Sequence, residues 1–159
     1  MTVDVRRATT DDATALATVL CEMAVQYRQP PLDHARLVGG TEMAREEARP
    51  IRISRWPSSR ARSAAWRRWR SRIPASISSG LQFLKDLFVR DKARNAGVRR
   101  ALISFLTGHC RRHGIGRIDL TTEDWNEGAL RFYDRLGAER HGQKLFLRLS
   151  GEALEAVKP

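Results

Sequence analysis

The chain has 159 residues and a formal charge of +11, with 29 Lys and Arg against 18 Asp and Glu. That length suits one domain, residues 1–159, with a real core, and it carries neither a signal-peptide pattern nor an apolar run long enough to span a bilayer. Cys21 and Cys110 are too few for a disulfide framework and His34, His109, His113 and His141 are scattered, so a reduced, cytoplasmic protein without a metal site is expected.

Val3 and Val5 alternate with polar neighbours as a first strand. Thr10, Asp11 and Asp12 then open a helix whose apolar stripe is Ala13, Leu16, Ala17, Leu20, Met23 and Tyr27. Glu22, Tyr27 and Asp33 offer partners to an amine, although a stripe tyrosine equally reads as core and the acids as a solvated face.

Ala48 to Gly80 differs in kind. It holds nine arginines, eight serines and three of the four tryptophans, with no Asp, Glu or Lys, so setting these arginines aside leaves a charge of about +2. A nucleic-acid arm, with arginine on phosphate and tryptophan on bases, is one reading; a disordered basic linker is another. A third starts from the genetic code. With CGN arginine codons, the register beginning on each third base turns Arg55-Trp56-Pro57 into Leu, Val or Met followed by Ala, and Trp66 and Trp69 give the same pair. Arg70-Ser71, Ser76, Ser78 and Ser79 become Phe, Leu, Ile or Val, so an apolar, strand-forming stretch lies hidden under the arginines. The expectation is a segment translated between two compensating frame changes, with the second and third strands disrupted and the Phe83 strand left with an unpaired edge.

From Leu81 to Arg112 the chain reads as strand, loop and helix: Phe83 to Val89 is apolar over strand length, a charged loop ends at Gly97, and Val98, Ala101, Leu102, Phe105 and His109 recur at helical spacing. A helix start leaves backbone N–H groups unpaired at the positive end of the dipole, and a glycine there admits a bulky anion. Such a turn suits phosphate. After Gly114-Ile115-Gly116 turns the chain, Ile118 and Leu120 alternate as a strand, Asn126 is a good N-cap, Ala129, Leu130, Tyr133 and Leu136 make a helical stripe, and Gly137 closes it. Glu139 to Leu149 reads as strand, turn at Gly142, strand, with Leu145, Leu147 and Leu149 on one face, and Glu152 to Lys158 as a turn or two of helix.

Two of these stretches carry a resemblance. Arg94-Asn95-Ala96-Gly97-Val98-Arg99, after a strand ending Leu87-Phe88-Val89, resembles the acetyl-CoA pyrophosphate loop of the GNAT superfamily of N-acetyltransferases, with Arg99 standing where that pattern has Gly or Ala. The run from Trp125 to Ala138 is similar to the second half-site of the same superfamily, nearest to the small-amine acetyltransferases of the spermidine/spermine and thialysine kind. The resemblance implies an α/β (α+β) fold, with a mixed, mostly antiparallel central sheet and flanking helices. It implies acetyl-CoA as donor, held by Leu87, Phe88, Val89, Arg94, Asn95, Ala96, Gly97, Val98, Arg99, Arg100 and Asn126. The segment from Tyr27 to Glu47 would help wall the acceptor pocket.

Acetyl transfer needs a neutral amine and a protonated leaving thiolate. An alkyl ammonium of pKa ~10.4 is neutral in only about one part in a few thousand at pH 7, a handicap of roughly 4.6 kcal/mol. Asp86 is the expected base, with Glu123 and Asp124 as rivals. Tyr133 is the expected acid, since a phenol near ~10 can protonate a thiolate whose thiol lies around ~8.5, and the resemblance puts it at the sulfur. The expected partner is a small-molecule primary amine, with homodimerisation open and neither membrane nor nucleic acid involved. The alternative is a GNAT scaffold whose catalysis is impaired and whose basic segment binds nucleic acid.

Overall fold

The computed structural model describes residues 3–42, 51–55, 64–65, 68–71, 80–94 and 97–157. Asn95, Ala96, Trp56 and Trp66, for which the sequence raises expectations, lie outside the described residues. Two compact units are present, Met1–Thr121 and Thr122–Pro159.

In the first unit, β1 (Asp4–Arg7) leads through a single 3-10 turn into α1 (Ala13–Gln26). The turn is capped by Thr9 and Asp12, one residue earlier than the expected Thr10: the Thr9 amide donates to Asp12 Oδ2 at 2.9 Å. Buried Asp12 also accepts from both terminal nitrogens of Arg6, at 2.7 and 3.0 Å, and that hydrogen bond holds the Arg6 guanidinium above its ordinary pKa. α2 is His34–Glu42, followed by β2 (Ile51–Arg55), β3 (Ala64–Ala65), β4 (Arg68–Ser71), β5 (Gly80–Leu84), β6 (Phe88–Val89), α3 (Val98–Arg112) and β7 (Ile115–Leu120).

The strands expected to be disrupted are present. The arginine-rich segment supplies β2, which pairs antiparallel with β1, and β3 and β4, which pair antiparallel with β6 and β5. Phe83 therefore has a neighbour on that side, Trp69, and the expectation of an unpaired edge there is corrected. Backbone hydrogen bonding is available to any non-proline residue, so a ladder forms whatever the side chains. Instead of one continuous sheet, the described ladders form β1-β2, β3-β6 and β4-β5-β7, with β5 and β7 parallel.

Phe83 to Val89, expected as one strand, is interrupted. Arg68 faces Leu84 and Ala65 faces Phe88, so the two pairings lie four residues apart on this side and three on the other. One extra residue is a β-bulge, and it reverses the in-and-out alternation beyond it. Leu84 and Val89, an odd number of positions apart, consequently share one core cluster with Val98, Leu102, Leu106 and Cys110 of α3. Phe88 points the other way, into a cluster with Leu16, Val19 and Met23 of α1. The short strand β6 thus lies between two helices, and the Tyr27 ring packs with the α1 cluster as core.

In the second unit, α4 (Glu127–Asp134) is followed by α5 (Glu152–Glu155). Asn126 caps α4 by accepting from the Ala129 amide at 3.1 Å, and Gly137, at φ 77°, closes it, with the Ala138 amide donating to Tyr133 O at 3.1 Å. The strand, turn, strand expected from Glu139 to Leu149 is corrected in part: the turn at Gly142 forms, but no strand does. Apolar alternation supplies a face, whereas a strand also needs a partner for its backbone.

Candidate functional site: a bulged strand and a basic helix start

The bulge positions the first part of the site. At Leu84, facing Leu120, the parallel ladder with β7 stops, and Lys85–Leu87 join no ladder among the described residues. Bulges leave backbone groups out of register and re-aim them, which provides an opening for an extended ligand along the strand. Asp86 and Leu87 are half-buried in this opening, and the Leu87 side chain packs against the α3 core. Because the side chains of Phe88, Val89 and Val98 are all buried in the core, only their backbones remain for a ligand.

Past β6 the chain makes a 3-10 turn at Asp91–Ala93 and reaches Gly97, the N-cap of α3, at φ 75° and ψ 0°. Only glycine adopts that left-handed conformation without cost, so the residue type is set by the way the chain must enter the helix. No side chain caps α3, and its first turn has no acid. Instead it carries Arg99, half-buried, and Arg100, exposed. Cations at the positive end of a helix dipole are unfavourable in isolation and become favourable when an anion lies between them and the backbone amides. The last turn, with His109, Arg111 and Arg112, has the ordinary favourable arrangement.

Arg94 does not reach out as a free cation. Its side chain donates to Val89 O at 3.3 Å and to Gln26 Oε1, and pairs with Asp91 at 2.7 Å. One turn of chain earlier, Arg90 is held by both carboxylate oxygens of Glu22. Glu22, weighed as a partner for an amine, is thus engaged with the loop. Gln26 was not legible as a site residue, since its partner is distant in sequence; the one hint is that Glu22 and Gln26, like Arg90 and Arg94, are four residues apart.

The other expected residues belong to the second unit and are described within it. Asn126 spends its side-chain oxygen on the helix cap. Tyr133 is half-buried on α4, its ring meeting Phe132 edge-on at 5.3 Å. Glu123 and Asp124, the rival bases, are exposed. Among the described residues no cluster of His, Cys, Asp and Glu could hold a metal ion, and no helix is long and apolar enough to cross a membrane.

Residues 45–138 match the Acetyltransferase (GNAT) family. A curated relative, the L-ornithine N5-acetyltransferase NATA1 of Arabidopsis thaliana, is 31% identical over 84 residues, which are 53% of this chain and 37% of the relative. The chain therefore spans well under half the length of that protein. Among solved structures, an integron cassette protein from the mobile metagenome of V. cholerae superposes with a TM-score of 0.82 at 23% identity, covering 98% of this chain and 96% of its own. A ribosomal-protein-alanine N-acetyltransferase from Brucella melitensis gives 0.75 at 16% identity, covering 92% and 99%. Both likenesses speak to the fold.

Proposed function

This chain belongs to the GNAT family of acetyltransferases, and from that premise we propose that it moves acetyl from acetyl-CoA to a primary amine of a small molecule, by direct attack in a ternary complex. The observation that carries the reading is the start of α3: a left-handed Gly97, a first turn without an acid, and two arginines where the dipole is positive. These residues fit a diphosphate. The amides from Gly97 to Arg100 would hold it, with Arg99 and Arg100 adding charge-assisted contacts.

When bound, acetyl-CoA supplies an activated acetyl thioester. Backbone N–H groups of Leu87 and Val89 would receive the pantetheine arm as an added strand, and one would polarise the thioester oxygen. Asp86 would draw a proton from the incoming ammonium, directly or through water, and Tyr133 would give one to the departing sulfur. Asn126 would face the cofactor from the start of α4. A small amine acceptor is supported by the activity in the name of the Arabidopsis relative, an L-ornithine N5-acetyltransferase.

Two measurements test the reading: calorimetric titration with acetyl-CoA, then thiol release over a panel of amines that includes ornithine and polyamines. Saturable binding with release on at least one amine is expected. Absence of acetyl-CoA binding, together with salt-sensitive binding to nucleic acid, would overturn it in favour of a basic binding protein.

A further inference from the structure

The bulge leaves one side chain outside both cores. From Leu84 to Val89, Leu84, Leu87 and Val89 pack with the α3 cluster, Phe88 packs with α1 and Asp86 is half-buried, so that Lys85 is the one exposed residue of the six. Among the described residues its ammonium makes no hydrogen bond or ion pair.

A lysine here differs from the many arginines of this chain in chemistry rather than in charge. A guanidinium stays protonated and is no nucleophile, whereas an ammonium that sheds a proton becomes a primary alkyl amine, the same group that the proposed reaction acylates. Four of the 29 basic residues are lysine, namely Lys85, Lys92, Lys144 and Lys158, and of these Lys85 alone stands at the bulge. Two residues of extended chain span about 7 Å, so Lys85 starts within reach of its own stem from the Leu87 amide, one of the two groups proposed to polarise the thioester oxygen. A nucleophile tethered that close reacts as though present at very high concentration.

We propose that Lys85 accepts the acetyl group itself when no free amine occupies the opening, so that the chain acetylates its own bulge. The proposal rests on the acetyl-transfer reading and gives that site a second acceptor. Once Lys85 Nζ has passed a proton to Asp86 or to water, it attacks the thioester carbonyl. A C–N bond forms, the C–S bond breaks, and the departing thiolate takes up the second proton that the nitrogen sheds. The products are an acetylated lysine and coenzyme A, with nothing oxidised or reduced. The amide is neutral, so the step also removes a positive charge from the opening.

Incubating the full chain with acetyl-CoA alone, followed by intact-mass measurement and peptide fragmentation, tests it. One acetyl group on Lys85 is expected, forming at least about tenfold faster than at Lys144, an exposed lysine of the second unit that reports uncatalysed acetylation. Its rate per molecule should saturate with acetyl-CoA and stay constant as the protein is diluted. Lys85→Arg keeps the charge, and should bind acetyl-CoA with unchanged affinity by calorimetry while losing the modification. A bare Lys85, or one labelled no faster than Lys144, in a chain that binds acetyl-CoA overturns the proposal, and thiol release over the amine panel then shows whether the acetyl-transfer reading survives alone. A rate proportional to protein concentration overturns it too, since one copy would then be acetylating another. Absence of acetyl-CoA binding overturns both.

Discussion

Arg90, leaving β6, lies against Glu22 on the last turns of α1, its Nε donating to Glu22 Oε2 at 2.6 Å while its Nη2 meets the second oxygen. Four residues further along each element, Arg94 meets Gln26. The pairs form a two-rung tie between α1 and the loop that enters α3. A polar tie suits this place because the side chains of Phe88 and Val89 are already committed to the cores on either side of β6.

Glu22→Ala removes the upper rung. Both partners are partly exposed, 28% for Arg90 and 39% for Glu22, so screening limits the loss to about 1 kcal/mol of stability, read as a shift in denaturant midpoint. The larger effect is expected on the KM for acetyl-CoA, which should rise several-fold, with kcat for the amine step little changed.

Gly97→Ala separates conformation from space. An added Cβ meets no atom within 4 Å, but φ is +75°, so the substitution costs about 1 kcal/mol of backbone strain and displaces the amides at the start of α3. Weaker acetyl-CoA binding with a retained circular dichroism spectrum is the expected outcome. Unchanged affinity by calorimetry would mean that this turn does not hold the diphosphate.

Tyr133→Phe tests the acid. Loss of general-acid assistance to the thiolate should lower kcat by about 10²-fold or more while leaving acetyl-CoA affinity intact. Full activity in this variant would return Tyr133 to a packing role beside Phe132.

The acceptor must lose a proton before it attacks. For a lysine-like amine of pKa ~10.4, the neutral fraction grows about tenfold per pH unit through neutrality, so kcat/KM should climb with pH until an enzyme group or the amine itself titrates. Asp86→Asn should depress that climb if Asp86 is the base, and leave the pH–rate profile unchanged if it is not.

The arginine-rich stretch has a test at the level of the gene. If two compensating frame changes enclose residues near 48–80, the DNA read in the shifted register encodes an apolar segment, and a chain made with that register restored should be more stable by thermal melting, because apolar residues would stand where arginine and serine stand now. A single unshifted frame shared with close relatives at the DNA level removes the idea.

Local chemistry accounts for most of what was legible. Val98, Leu102 and His109 announce α3 by their spacing, and the structure buries all three. Asn126 and Gly137 announce the ends of α4, and both act there as caps. The extra residue at Lys85–Leu87 left no such mark: a run of apolar residues reads as one strand whether or not a bulge divides it, and only the partner's register reveals the count. Glu139 to Leu149 failed as a strand for the converse reason, its alternation being local and its missing partner not.

Sequence alone determined the two ends of α4, that Gly97 begins α3, and which family's motifs the chain carries, because capping, spacing and left-handed glycine depend on neighbours a few residues away. Tertiary structure decided the bulge, the commitment of Phe88 and Val89 to opposite cores, and the tie from Arg90 and Arg94 to Glu22 and Gln26, 68 residues away in each case. Those are agreements between distant segments over register and charge, and they exist only once the backbone has brought the segments together.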